Sequence, residues 1–380
     1  MSQSEYLPYG RQTIDDDDIN AVIEVLRSDW LTTGPKVSEF EQVFAEFIGT
    51  TEAVAVSSGT AALHASMHAL GISQGDEVIL SPLTFVSSAN CVVFEGGTPV
   101  FADVDPNTLL LDPKKVASKI TPLTKAIIAV DYAGQPCDYN ALSEIGKQHD
   151  IPVVSDSCHA LGATYNGNRA GTLALLSVFS LHPVKHITSG EGGVVTTNDT
   201  KLAKSMRKFR NHGINLEHRN RKNWEYEITD LGYNYRITDM QCALAISQLQ
   251  KLPNFIKRRR EIASLYNSAF ENISEFQPLD VRPEVQHSYH LYVVKIDTEK
   301  LGRDRLNIFT EIRDQYIGAN VHYIPIHLHS FYRKKFGTGP GLCPIAESAY
   351  NQIISLPIFP SMTDEDVNRV INAILRLRNL

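Results

Sequence analysis

Between positions 53 and 156 the chain alternates short apolar runs with amphipathic stretches, and that alternation leaves few folds open. Runs at 53–56, 77–80, 99–103, 125–130 and 152–155 read as strands, with helical stretches at about 61–70, from 87, at 113–119 and at 140–149 between them. Strands that are apolar throughout are buried on both faces, which points to an α/β chain with a parallel or mostly parallel sheet covered by helices. In such sheets ligands sit beyond the carboxyl ends of the strands. Ser58, Thr60, Asp131, Asp156, Ser180 and Lys185 stand at or just beyond those ends, so they are expected to converge.

The last two of these belong to the most distinctive stretch. A run at 177–181 breaks into polar loop residues, presents Lys185, and closes on Gly190-Glu191-Gly192-Gly193 before a further strand at 193–197. A lysine at the lip of a sheet, flanked by His182 and His186, suits an amine that forms an imine with an aldehyde. Such amines need desolvation or a cationic neighbour to react at neutral pH. Taken alone, Lys185 is better read as an ordinary surface lysine.

Its neighbours change the balance. Ser58-Gly59-Thr60 lies where a strand hands over to a helix, and the N–H groups there suit a phosphate. Serine and threonine also cap helices in that position with no ligand involved. Asp156 closes a strand and could cap a turn. Against a pyridine nitrogen it would instead keep that nitrogen protonated and make the ring an electron sink. It precedes Lys185 by 29 residues with one strand between them, the separation that adjacent strands of one sheet require. Ser180, five residues before Lys185, is placed to donate to the same phosphate. Phe85, in a loop after a strand, could stack on a ring or equally fill the core.

Composition narrows the class. Hydrophobic content of 43% and charged content of 21% describe a soluble globular protein with a sizeable core. A formal charge of −7 gives no electrostatic case for nucleic acid or an anionic membrane as general partners. The five cysteines lie far apart without a CxxC pair, which argues for reduced thiols and against a disulfide framework or structural zinc. With no secretory signal and no apolar run of spanning length, a cytoplasmic setting is expected.

The remaining segments complete the organisation. Residues 1–13, aromatic and without periodicity, read as an arm. Asp15 to Asp18 supply negative charge to the start of a helix at 19–27, and another helix follows at 36–47. After a helix at 201–210 and a polar loop at 215–229, a long helix at 238–250 is expected to end before Pro253. Beyond it lie a basic helix at 255–270, strands at 290–296 and 321–324, and helices at 305–316 and 364–377. The division expected is an arm at 1–13, a large domain at 14–253 and a smaller α+β domain at 254–380.

Taken together these motifs resemble the DegT/DnrJ/EryC1/StrS family, the pyridoxal-phosphate (PLP) aminotransferases that act on nucleotide-linked keto sugars. The resemblance runs from Tyr9 to the C-terminus. It is carried by Leu31-Thr32-Thr33-Gly34-Pro35, Ser58-Gly59-Thr60-Ala61-Ala62-Leu63, Asp131-Tyr132-Ala133-Gly134-Gln135-Pro136, Asp156-Ser157-Cys158-His159-Ala160-Leu161-Gly162-Ala163, Phe179-Ser180-Leu181-His182-Pro183-Val184-Lys185, Gly190-Glu191-Gly192-Gly193 and Gly232-Tyr233-Asn234-Tyr235-Arg236. It implies a fold-type I transferase with a mostly parallel seven-stranded sheet flanked by helices and a smaller C-terminal domain. It also implies roles. Lys185 would carry the cofactor and shuttle a proton, Asp156 would pair with the ring nitrogen, and Phe85 and His159 would lie against the ring or its hydroxyl. Gly59, Thr60 and Ser180 would hold the phosphate, and Asn234 would reach the phosphate of a neighbouring subunit in a homodimer with shared sites. Tyr9, Asp29, Trp30, Leu31, Thr32, His322, Tyr323, Ile324 and Pro325 would line the sugar-nucleotide cleft, with Gly59, Ser180 and Asn234 beside them.

His159, where many members carry Gln, and Val321-His322-Tyr323-Ile324-Pro325-Ile326-His327 resemble the branch that serves pseudaminic acid biosynthesis. That branch implies L-glutamate as donor and C4 of a UDP-linked 4-keto-6-deoxy-N-acetylhexosamine as acceptor. His327 and His329 read as surface residues rather than ligands. Other nucleotide keto sugars, aminated at C3 or C4, remain the alternative substrates. A regulatory protein of the same fold is the alternative class, opposed by the intact set of Lys185, Asp156 and Ser180. A related sugar dehydratase would replace the lysine, usually by histidine.

Overall fold

In the computed structural model, residues 6–215 and 224–378 are described. Helix α1 (Asp16–Leu26) starts on an Asp15 capping box with Asp18 and places three aspartates in its first turn. Helix α2 (Pro35–Ile48) has proline at its first position and Gly49 in the left-handed conformation after its last. Then the alternation begins: β1 (Glu52–Val56), α3 (Gly59–Ala69), β2 (Glu77–Leu80), α4 (Ser87–Phe94), β3 (Thr98–Phe101), α5 (Pro113–Ala117), β4 (Thr124–Val130), α6 (Tyr139–His149) and β5 (Val153–Asp156). A small excursion, β6 (Thr164–Tyr165) and β7 (Asn168–Arg169), precedes β8 (Leu176–Ser180), β9 (Gly193–Thr197) and α7 (Thr200–Phe209).

These strands form one seven-stranded sheet in the order β1-β9-β8-β5-β4-β2-β3. Pairings are parallel except for β9, which runs antiparallel to both β1 and β8. The register sets Val130 beside Asp156, Asp156 beside Val178, Ser180 beside Gly193 and Gly193 beside Val56. The carboxyl ends of β1, β5 and β8 therefore share one edge. The strands are buried almost throughout, as apolar runs covered on two faces must be. Cys91, Cys137, Cys158, Cys242 and Cys343 are all free thiols.

The second half begins with α8 (Asp239–Phe270), which runs 32 residues without a break and contains Pro253. The expected stop at Pro253 is not there. A proline inside a helix costs about 3 kcal/mol, but both flanks of this one are packed. Leu249, Leu252 and Ile256 are buried against α2 and the β1–β9 side of the sheet, and Ile262, Tyr266 and Phe270 in the second core. That packing outweighs one lost hydrogen bond, so the line drawn between 253 and 254 crosses a continuous helix. After α8 come β10 (Phe276–Pro278), β11 (Val285–Gln286), β12 (Tyr292–Ile296), α9 (Thr298–Leu301), α10 (Arg305–Asp314), α11 (Ser330–Phe336), α12 (Pro344–Gln352), β13 (Ile353–Leu356) and α13 (Asp364–Arg376). Strands β10, β12 and β13 make a three-stranded sheet, and β11 joins β6 and β7 in another.

The strand expected at 321–324 is not formed. Asn320 pairs with Ser355 of β13, and the following carbonyl, that of His322, accepts instead from the Tyr132 hydroxyl. With its backbone taken by a side chain, the segment cannot enter a ladder. The N-terminal arm lies on this half of the molecule: Leu7 is buried and exchanges backbone hydrogen bonds with Tyr316 and Gly318, and the Tyr9 carbonyl accepts from Ile358 N–H.

Candidate active site

Beyond the shared strand edge lies a cavity of about 740 Å³. Its lining includes Tyr9, Gly59, Thr60, Phe85, Asp156, His159, Ser180, Lys185, His322 and Tyr323, residues drawn from the arm, the large sheet and the C-terminal half. The convergence expected from the strand ends is thus realised, with one exception. Asp131 is fully buried beneath the cavity, accepting hydrogen bonds from Tyr139, Ser155, Ser157 and the Cys137 N–H. Burial pushes its carboxyl up to about 6 against those bonds. It stiffens the end of β5 rather than facing a ligand.

At one end of the cavity, Ser58 caps α3 by accepting from the Ala61 N–H. Helix geometry leaves the first-turn N–H groups, those of Gly59 and Thr60 among them, without intrahelical acceptors, and the helix dipole adds positive potential there. A Cβ on Gly59 would stand 3.0 Å from Ser180 Cβ and 3.3 Å from its hydroxyl. Backbone and hydroxyl therefore close on one small space, a cradle fitted to a phosphate.

At the other end, Asp156 is buried, with Oδ2 accepting from Ser88 Oγ at 2.6 Å and Oδ1 from the Cys158 N–H at 3.3 Å. Ser88 is itself tied to Thr84 at 2.7 Å. The carboxylate is held in one orientation with lone pairs to spare. Lys185 lies in the loop between β8 and β9, its N–H donating to the His182 carbonyl. Burial pulls its ammonium pKa down, opposed by Cys158 and Asp156, which is the state a nucleophilic amine needs. His159 Nε2 stands 3.1 Å from the Tyr323 hydroxyl, and its Nδ1 is buried without a hydrogen-bond partner. Burial first, then the charges of Lys185, His322 and His186, hold its imidazole well below its ordinary pKa, so it is neutral. Phe85 is half exposed at the mouth, its ring 6.2 Å from that of Tyr323. A phosphate cradle, a fixed carboxylate, a desolvated amine and an orphaned imidazole nitrogen within one cavity fit pyridoxal phosphate.

Several expected residues stand elsewhere. Asp29, Trp30, Leu31 and Thr32 are exposed and outside this cavity, because the Leu31 carbonyl and Thr32 are tied to the start of α8 through Asp239 and Thr238. Asn234 is exposed and paired with Asn211, away from the cavity of its own chain. Ile324 and Pro325 also fall outside the lining, which ends at Tyr323. His327 is no surface residue: it is fully buried, 2.9 Å from Glu347. His329, by contrast, is exposed ahead of α11. Conversely, Ser88 and His290 were not singled out from the sequence. Nothing in the spacing of Ser88 marks it, and only the fold reveals that α4 begins over Asp156. His290 lines the cavity with its ring 4.3 Å from that of His159, a closeness across 131 residues that no local pattern encodes.

A model of the DegT/DnrJ/EryC1/StrS aminotransferase family matches residues 12–375. The spore coat polysaccharide biosynthesis protein SpsC of Bacillus subtilis is 42% identical over 379 residues, covering 98% of this chain and 97% of that protein. Among solved structures, Helicobacter pylori PseC, an aminotransferase involved in the biosynthesis of pseudoaminic acid, superposes with a TM-score of 0.93. It is 34% identical and covers 99% of this chain and 100% of its own. The putative sugar aminotransferase Spr1654 of Streptococcus pneumoniae, known in PLP and PMP forms, gives a TM-score of 0.92 at 32% identity, with 98% and 99% coverage.

Proposed function

Because the chain belongs to the DegT/DnrJ/EryC1/StrS aminotransferase family, and is a PLP-dependent sugar aminotransferase of fold type I, we propose a specific reaction for it. It transfers an amino group from L-glutamate to C4 of a UDP-linked 4-keto-6-deoxy-N-acetylhexosamine, in pseudaminic acid biosynthesis. The observation that carries this reading is the joining of Lys185 and Asp156 to Tyr9, His322 and Tyr323 in one cavity. The last three approach from the arm and the C-terminal half, where a second, larger substrate would meet them. The likeness to PseC supports the choice of sugar. The higher identity to SpsC keeps a different polysaccharide precursor, aminated at C3 or C4, as the second reading.

When bound, pyridoxal phosphate supplies an electrophilic carbon for the incoming amine and an electron sink for the bond that breaks. Gly59, Thr60 and Ser180 bind the phosphate end, and Asp156 holds a proton on the ring nitrogen. Lys185 Nζ, its ammonium pKa lowered by burial, takes the proton from the donor carbon and returns it on the other side. His159 and Phe85 orient the ring, His159 staying neutral and hydrogen-bonded to the Tyr323 hydroxyl. Tyr9, His322 and Tyr323 exclude water on the sugar side.

The active unit in this reading is a homodimer with shared sites. In support, Asn234 is exposed outside its own cavity, and the segment before it exposes Trp224 at 85%, Ile228 at 68% and Leu231 at 73%. Three large apolar side chains exposed within eight residues suit a subunit interface, and a second copy would bring Asn234 to its neighbour's phosphate. Residues Asp29 to Thr32 would meet substrate from the same side.

The test follows absorbance of the bound cofactor. Glutamate should convert it to the amine form, and the UDP-linked 4-keto sugar should convert it back. Tyr323→Phe should slow the sugar half-reaction about fivefold, the loss of one neutral hydrogen bond, while sparing the glutamate half. A plain keto acid that outperforms every nucleotide keto sugar would refute the substrate.

A further inference from the structure

Beneath α3, on the side away from the cavity, a polar cluster joins four elements. His68 of α3 has a carboxylate at each ring nitrogen: Glu95 Oε2 lies 3.5 Å from Nδ1 and Asp230 Oδ2 lies 3.2 Å from Nε2. A neutral imidazole carries one N–H, so both contacts can be hydrogen bonds only when the ring is an imidazolium. Lys208 of α7 approaches Asp230 at 3.7 Å, and the Phe209 ring stacks on His68 with centroids 4.1 Å apart. One turn earlier, His64 bonds Glu95 Oε1 at 2.8 Å and the Tyr235 hydroxyl at 3.0 Å. No other charged group among the described residues is recorded against His68.

The cluster grips both ends of the segment that carries Asn234. Asp230 lies before it and Tyr235 after it. Between them Tyr233 and Tyr235 stack on each other, and Asn234 falls on the other side of the extended chain. The same segment donates from Tyr233 and Tyr235 to the carbonyls of Phe209 and Arg210, and its Tyr235 carbonyl accepts from Ser57, next to the phosphate cradle. Helix α3 therefore begins at the cradle of one site and, one to three turns later, holds the segment assigned above to the neighbouring site.

We propose that His68 is a positioning residue: as an imidazolium between Glu95 and Asp230 it clasps the Asn234 segment to α3, and so couples phosphate binding in one site to that in the other. This rests on the shared-site reading. The hydrogen bond to Glu95, reduced by burial and reinforced by Asp230, raises the pKa of His68, while His64 and His68 overcome the effect of burial on Glu95 and bring it to about 2. A histidine whose pKa is raised by folding contributes fully below the ordinary imidazole range and loses its contribution as pH rises through the raised value. The clasp is closed in acid and opens towards alkaline pH.

The probe is pyridoxamine 5′-phosphate, bound without a covalent link to full-length dimeric protein and followed by equilibrium dialysis. His68→Gln should weaken binding about fivefold near pH 6, the scale of a partly exposed ion pair, and have little effect near pH 9. Asp230→Asn, at a half-exposed site that tolerates substitution, should do the same. In an Asn234→Ala background neither change should add to the loss. Equal effects at both pH values, or full effects without Asn234, would overturn the clasp. If Asn234→Ala weakens binding and the clasp variants do not, the clasp alone fails. If Asn234→Ala binds normally, the shared-site reading falls and takes the clasp with it.

Discussion

At Lys185 the physical problem is to make an amine reactive near neutral pH, and burial works towards that by lowering its ammonium pKa. The loop between β8 and β9 sets the side chain in a cavity also lined by His159, His290 and His322, imidazoles whose pKa values burial lowers. The sequence marked Lys185, Asp156, Ser180, Gly59 and Thr60 because each stands at a strand end, where chain direction alone decides what faces a ligand. Ser88 and His290 were illegible because their importance lies in whom they touch. Asp156→Asn should slow both half-reactions on the order of a hundredfold, as loss of a fixed charge against a developing one does. The cofactor should be largely retained, which single-turnover absorbance and cofactor content would check together. Borohydride reduction of the loaded protein should label the Lys185 peptide, and label on any other lysine would remove the assignment.

At the scale of elements, the cradle depends on how closely β9 can approach the start of α3. A Cβ on Gly193 would stand 2.2 Å from the Ser58 carbonyl oxygen and 2.8 Å from the Gly59 nitrogen. Both obstacles are backbone, so one strand must move. Gly193→Ala should therefore destabilise the protein by about 1–3 kcal/mol, the usual cost of overpacking, and weaken cofactor binding as well, read by denaturant melts and dialysis. An unchanged affinity would mean that Gly193 is not what spaces the cradle. Helices and strands with a clear period were read nearly to the residue. The misreadings, a helix stop at Pro253 and a strand at 321–324, share one cause: local preference was outweighed by burial along α8 and by the Tyr132 hydroxyl beside His322.

For the molecule as a whole, the prediction concerns subunits. A Lys185→Ala chain mixed with an Asn234→Ala chain should regain part of the lost activity. In a shared-site dimer one hybrid site receives both native residues. On that reading each Asn234→Ala site would lose a hydrogen bond to a charged phosphate, an effect of about 1.5–3 kcal/mol, so the recovery would be measurable against either mutant alone. No recovery, with both chains still dimeric by light scattering, would mean that each site is built from one chain. The sequence by itself determined the sheet, its direction and which residues stand at its ligand edge, because strand polarity and apolar patterning are local, and the motifs it carries marked the family and with it the cofactor. Only the tertiary structure decided that Asp131 lies beneath the cavity, that Asp29 to Thr32 and Asn234 stand outside it, and that His68 binds two carboxylates. Those facts depend on distances between segments far apart in the chain, which packing sets and no local period records.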